Sequence, residues 1–200
     1  LLPELTAMMP LKLSATTALD ALCHATEAYW AVGSNEIVRH YALQAIEKIR
    51  VYLPQLKLDP GNMKVRSELS LASLYAGLAF SNTRTTACHS ISYPLTMLHG
   101  IEHGVAASMT LGPILELNWD VLIEPDKLLQ AFGVKRPSDV HQVIVQWYEL
   151  YDIPSQLGGY GVTLEHVGEI VARAYTKGRM DNNPVEISKE MLESLLVNLL

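Results

Sequence analysis

Two hundred residues, 49% hydrophobic and 18% charged with a formal net charge of −6, describe a folded chain of one or two domains with a continuous apolar core, and exclude disorder. Fifteen Lys+Arg against 21 Asp+Glu leave no basic block for a nucleic-acid groove or a polybasic membrane patch. The longest apolar stretch, Leu71 to Phe80, carries Ser73 and Gly77 and is about half of the ~20 residues a bilayer span needs, so no membrane helix is expected.

Apolar residues recur with helical rather than alternating spacing, as in Leu19, Leu22, Cys23 and Thr26 and then Ile37, Tyr41, Ala45 and Ile49, which predicts an all-α fold. In chain order the pattern predicts helices over residues 16–32, 35–53, 62–80, 83–98, 104–118, 138–151, 164–177 and 188–199. Breaker clusters separate them at Gly33-Ser34, Asp59-Pro60-Gly61, Gly133 through Pro137, Gly158 through Gly161 and Asn182-Asn183-Pro184. Ser138, Thr163 and Ser188 stand where an N-cap oxygen would satisfy free amides. The expected architecture is a helical bundle, either one domain or a bundle over 1–137 followed by a smaller helical group over 138–200. There is no Gly-x-Gly-x-x-Gly, no Walker loop and no strand-rich half to carry one. The chain opens Leu1-Leu2-Pro3-Glu4 without a readable secretion signal, and two cysteines, Cys23 and Cys88, suggest a reducing cytoplasm.

Seven histidines are present, and the arrangement of some is informative. Asp20 and His24 are spaced i, i+4, so on a helix both emerge one turn apart on one face and could bite one divalent cation. Their neighbours Ala18, Leu19, Ala21 and Leu22 place the Asp20 carboxylate against the interior, where it needs a cation or a hydrogen-bonding partner. The competing reading is an Asp–His pair bonded only to each other. On one straight helix His89 and His103 would lie ~21 Å apart, so sharing a metal requires the chain to turn back between them. Pro94, Gly100 and Gly104 supply candidate breaks, and Gly104 would let a new helix begin close to a ligand. Glu102 is expected as an exposed loop carboxylate. Cys23-His24 and Cys88-His89 do not make a Cys2His2 zinc site, because adjacent helical residues point about 100° apart; both cysteines are expected to fill gaps between helices.

Taken together, Asp20-Ala-Leu-x-His24 with Glu27-Ala-Tyr29, then Ala76 through Asn82, then His89 followed by His103-Gly104-Val105-Ala106, resemble the iron-containing alcohol dehydrogenases. Leu2-Pro3-Glu4-Leu5 and Asn183-Pro184 are similar to that family's entry to its helical domain and its late turn near the active site. The resemblance implies the helical metal-binding half of a two-domain, homo-oligomeric enzyme, with a Rossmann-like half for NAD or NADP lying outside this sequence. It implies metal ligands Asp20, His24, His89 and His103, a set suited to Fe(II) or Zn(II) acting as a Lewis acid on a small alcohol or aldehyde. Tyr93 stands where many members carry a second histidine; tyrosine can donate a proton but is a poor base near neutral pH. The stretch around it is closer to outlying branches such as phosphonoacetaldehyde reductases and 3-deoxy-octulosonate 8-oxidases. Arg84, Lys177 and Arg179 would then bind an anionic substrate, the alternative for Lys177 and Arg179 being cations set at a helix C-terminus. Two alternatives are a non-catalytic helical domain with an empty or structural metal site, and a related metal-dependent synthase.

Overall fold

Helix α1 (Leu11–Trp30) is the axis around which the chain is built, as described by a computed structural model of all 200 residues. Its buried positions are mostly small, including Ala15, Ala18, Ala21, Ala25 and Ala28, so neighbouring backbones approach it closely on several sides. Helices α2 (Glu36–Leu58) and α3 (Met63–Phe80) pack beside it, α3 running in the same direction as α1 with Arg66 at Ser14 and Phe80 at His24, and α4 (Ala87–His99) and α5 (His103–Asn118) form a tight hairpin across it. The rest of the chain is α6 (Pro125–Phe132) against α2, α7 (Ser138–Leu150) against α5, α8 (Leu164–Arg173) against α4, and α9 (Lys189–Val197) against α8. Short 3-10 turns are the only other regular structure, and there are no strands. One apolar core of 53 buried residues runs from Ala15 to Leu199. No helix is long and apolar enough to cross a membrane.

The all-α expectation agrees with this architecture, and several boundaries differ for physical reasons. An eight-residue helix, α6, falls where none was predicted: Pro125 occupies its first turn and Gly133, at φ +71°, closes it. Helix α4 starts at Ala87 rather than 83 because Arg84 takes a left-handed conformation, φ +66°. Pro94 does not break the chain but sits inside α4, and the reversal comes at Gly100, φ +67°. Helix α8 ends at Arg173, four residues before the predicted 177. Ser188 caps α9 through the Met191 amide, and Thr163 heads α8 with its own N–H donated to His166 Nδ1. Ser138 is instead the first helical residue of α7, after Pro137.

Candidate metal centre

Three helices bring the ligand candidates to one point. Asp20 projects from the middle of α1, His89 from the first turn of α4, and His103 is the first residue of α5. The α4–α5 reversal at Gly100 folds the two histidines onto the same carboxylate. Asp20 Oδ1 lies 3.4 Å from His89 Nε2 and 3.8 Å from His103 Nε2, and the three atoms lie within 4.8 Å of one another. Bonds of ~2.1 Å to one tetrahedral ion would separate its ligands by ~3.4 Å, so the triangle is of the right size for a first-row cation. Asp20 Oδ1 and His89 Nε2 are buried, and neither has a hydrogen-bond partner. Buried polar atoms left unpaired are costly, and two of them facing one point fit a bound cation.

His24 is adjacent rather than convergent. Its Nδ1 lies 3.6 Å from the other Asp20 oxygen, Oδ2, while its ring stacks on Phe80 at 4.2 Å and leans on the His89 ring at 4.2 Å. The predicted Asp20/His24 pair is therefore on one face of α1, but the atoms that meet most closely are those of Asp20, His89 and His103.

The close approach of α5 to α1 depends on Gly104. A Cβ there would stand 2.0 Å from the carbonyl oxygen of Thr16 and 2.9 Å from Asp20 Cβ, so only glycine lets His103 sit beside Asp20. Both convergent histidines are also held from behind. His103 Nδ1 faces Ser92 Oγ at 3.4 Å. His89 Nδ1 bonds Glu27 Oε2, and the other Glu27 oxygen accepts from the Thr86 hydroxyl (2.9 Å) and from the backbone N–H groups of Cys88 (2.7 Å) and His89 (3.3 Å). Trp30 Nε1 closes the chain by donating to Thr86 Oγ1 at 2.8 Å. Glu27 thus caps the start of α4 from another helix and fixes which nitrogen of His89 points at Asp20. In the sequence Glu27 stands within the motif that follows His24, and no spacing ties it to the start of α4.

The electrostatics follow from this crowding. Burial raises the Asp20 carboxyl, but the three histidines outweigh it and hold it below its ordinary value. Burial lowers His89, yet the Glu27 and Asp20 carboxylates prevail and push it up to about 9. Burial, with the positive field of His89, takes His24 down to about 4, and burial also lowers His103. Cys23 and Cys88 are fully buried and unpaired, and burial pushes both thiols well up, which agrees with a packing role.

Beside the ligands opens a cavity of about 520 Å³ whose lining includes His24, His89, His103, Tyr93, Arg84, Lys177 and Arg179. The three histidines, Tyr93, Arg84, Lys177 and Arg179 therefore line one cavity, with Asp20 beside it against His89 and His103. The Arg179 guanidinium lies over the Tyr93 ring, 4.8 Å from its centroid, and that ring is 5.6 Å from the His103 ring. Glu102 is exposed and paired with Lys12 at 2.9 Å, outside the centre.

Known proteins share this arrangement of helices. The chain superimposes on sulfoacetaldehyde reductase from Bifidobacterium kashiwanohense, solved with NAD+, with a TM-score of 0.91 and 32% identity, over 98% of this chain and 52% of that one. It is 27% identical over 207 residues to the NAD-dependent methanol dehydrogenase of Bacillus methanolicus, covering 99% of this chain and 54% of that protein. Over 118 residues it is 36% identical to the phosphonoacetaldehyde reductase of Streptomyces viridochromogenes, covering 59% of this chain and 30% of that protein. The chain thus spans about half the length of the relatives it matches end to end. Residues 14–200 match the pattern described as the Fe-containing alcohol dehydrogenase family, C-terminal. With that match covering nearly the whole sequence, the chain belongs to the Fe-containing alcohol dehydrogenase family of oxidoreductases.

Proposed function

We propose that this chain is the metal-binding part of an NAD(P)-dependent alcohol dehydrogenase or aldehyde reductase acting on a small substrate with an anionic tail. The observation that carries the metal reading is the convergence of Asp20 Oδ1, His89 Nε2 and His103 Nε2 on one point, two of these atoms buried and otherwise unpaired. With His24, whose Nδ1 lies 3.6 Å from Asp20 Oδ2, turned onto the same ion, the set would be one carboxylate and three imidazoles, which suits Fe(II) or Zn(II). A cation held there supplies Lewis acidity to a carbonyl or alkoxide oxygen during hydride exchange with a nicotinamide.

The chain's own residues divide the remaining work. Glu27 and Ser92 hold His89 and His103 in the orientation that turns Nε2 toward Asp20. Phe80 and the buried walls of α1 and α4 limit water around the ligands. Tyr93, in the cavity next to His103, is placed to give a proton to a substrate oxygen. Arg84, Lys177 and Arg179 make the far wall cationic, and they suit a phosphonate, sulfonate or carboxylate on the substrate. Two relatives are named reductases of sulfoacetaldehyde and phosphonoacetaldehyde, which accords with that wall.

The test is metal binding by the chain purified without chelators. Bound Fe(II) or Zn(II) lost on His89→Ala and on His103→Ala is the expected result, and full metal content in a chain carrying both changes would refute the assignment. The 200-residue chain by itself is expected to show no NAD(P)H turnover, because hydride transfer needs the nicotinamide held at the substrate carbon.

A further inference from the structure

The cationic wall is made of two segments that are distant in sequence, Thr83–Thr85 and Lys177–Arg179, and the backbone at each is unusual. Arg84 adopts φ +66°, a left-handed conformation that glycine or asparagine takes more readily than arginine. Facing it, Gly178 has φ +81°, and a Cβ on Gly178 would stand 3.1 Å from Arg84 Nη1. The absent side chain leaves the room in which the Arg84 guanidinium lies. Gly178 is set by its own positive φ, and an arginine in a left-handed turn against it is backbone strain that the surrounding contacts must hold.

What holds the two segments together is Asn182. Its side-chain amide donates both hydrogens, to the carbonyl of Thr83 at 2.8 Å and to the carbonyl of Thr85 at 3.0 Å, one on each side of Arg84. Its backbone carbonyl accepts from the Val32 N–H at 3.2 Å. The segment that carries Asn182 is itself anchored. Next to it, Asn183 exchanges two amide hydrogen bonds, 2.8 and 3.0 Å, with the buried Asn118 of α5. At the other end, Ser90 of α4 donates to the Ala174 carbonyl and accepts from the Thr176 N–H. Lys177 and Arg179 are thus on a loop tied down at both ends, and Asn182 transmits that anchorage to Arg84.

We propose that Asn182 is the positioning residue that locks the left-handed Arg84 turn against Gly178, and so sets the selectivity of the cavity for a substrate bearing a tetrahedral oxyanion. This rests on the reading of the cationic wall as the seat of the substrate's anionic tail. Because preorganised donors lose little entropy on binding, freeing the turn should weaken the anion without disturbing the ligands on α1, α4 and α5.

The experiment is an NMR-monitored titration of the full 200-residue chain with methylphosphonate, with Co(II) affinity measured in parallel and ADP as a second anion. Arg84→Gln and Asn182→Ala are each expected to weaken methylphosphonate about tenfold, the loss of roughly one charge-assisted hydrogen bond, with Co(II) affinity unchanged. Asn182→Leu, which keeps roughly the size and removes the donors without adding charge, is expected to behave like Asn182→Ala, and thermal melting confirms that each variant is folded. If Arg84→Gln weakens the anion while both Asn182 variants leave it intact, the clamp is overturned and the anionic reading stands. If none of the three weakens it, the anionic reading falls and takes the clamp with it. A parallel loss of Co(II) affinity in the Asn182 variants would show a general structural role and overturn the proposal. Tighter binding of ADP than of methylphosphonate, with the same dependence on Asn182, would assign the wall to nucleotide phosphate and overturn the substrate assignment.

Discussion

Glu27 of α1 meets His89 of α4 twice, through the side-chain Nδ1 and through the backbone N–H, and this double contact joins the stability of the helix pair to the orientation of a metal ligand. Exchange of Glu27 for Gln separates the two. The amide oxygen of glutamine can replace Oε1 at the backbone donors of Cys88 and His89, which leaves its NH2 facing His89 Nδ1. That nitrogen must then accept, so the ring gives up its Nδ1 proton and keeps the one on Nε2, the atom that faces Asp20. Glu27→Gln is therefore expected to lower metal affinity by about 10–100-fold and to shift the His89 tautomer in 15N NMR spectra. Glu27→Ala strands four buried partners, the Thr86 hydroxyl, the Cys88 and His89 amides and His89 Nδ1, and should destabilise the fold by several kcal/mol, on the order of 3–5, in chemical denaturation. Unchanged metal affinity in a folded Glu27→Gln chain would remove Glu27 from the site.

Gly104 makes a sharper steric case. Alanine there drives a Cβ to 2.0 Å from the Thr16 carbonyl oxygen, and backbone cannot yield as a flexible side chain does, so α5 must move off α1. Gly104→Ala should cost about 1–3 kcal/mol or more of stability and lower metal affinity at least tenfold, because His103 rides on the displaced turn. Gly77→Ala is the control: a Cβ at Gly77 meets nothing within 4 Å, so metal affinity should be unchanged and stability should rise by about 0.5–1 kcal/mol, as a helix interior favours alanine.

The residues that sequence reasoning found and missed divide along physical lines. The helices of the bundle were legible because their apolar stripes repeat over three turns or more, whereas α6 has eight residues and too few periods to register. The Asp20 and His24 pair was legible because an i, i+4 spacing is local, whereas His89 and His103 were joined to it only through the family resemblance. That Pro94 stays inside a helix, and that Gly100 makes the turn, depended on which of two breakers the packing of α4 on α5 would use. The contacts of Glu27 with residues 59 to 62 positions away, and of Asn182 with residues 97 and 99 positions away, leave no trace in spacing. Such partners are chosen by the fold, after the helices have already been brought together.

Mass action provides a prediction about the centre as a whole. A cation that binds only the folded chain raises its stability by about 2.7 kcal/mol when its free concentration is 100 times Kd. Zn(II) or Co(II) is therefore expected to raise the thermal midpoint of the chain by several degrees, with a chelator reversing the gain. Asp20→Asn should abolish most of that rise, because it removes the one carboxylate shared by His89 and His103. An equal rise in wild type and Asp20→Asn would locate the metal elsewhere.

Away from the centre, His141 gives the fold a pH dependence that can be isolated by substitution. It lies on α7 against α5, where Gly112 allows the two backbones to touch: a Cβ on Gly112 would be 2.6 Å from His141 Cβ. Burial lowers His141 from its ordinary 6.5, and Glu116 only partly offsets this. Its Nδ1 is buried without a partner, so the fold favours the neutral ring. The folded chain thus binds the proton less readily than the unfolded chain. The sign is fixed by that difference: the contribution of His141 is complete above pH 6.5 and is lost as the pH falls below it. His141→Asn removes the titrating group, so between pH 7 and 5 its unfolding free energy, measured in urea, should fall less steeply than that of the wild type. A wild-type slope no steeper than that of the variant over this range would mean that α7 and α5 accommodate the charged ring, and that the packing at Gly112 is looser than the geometry states.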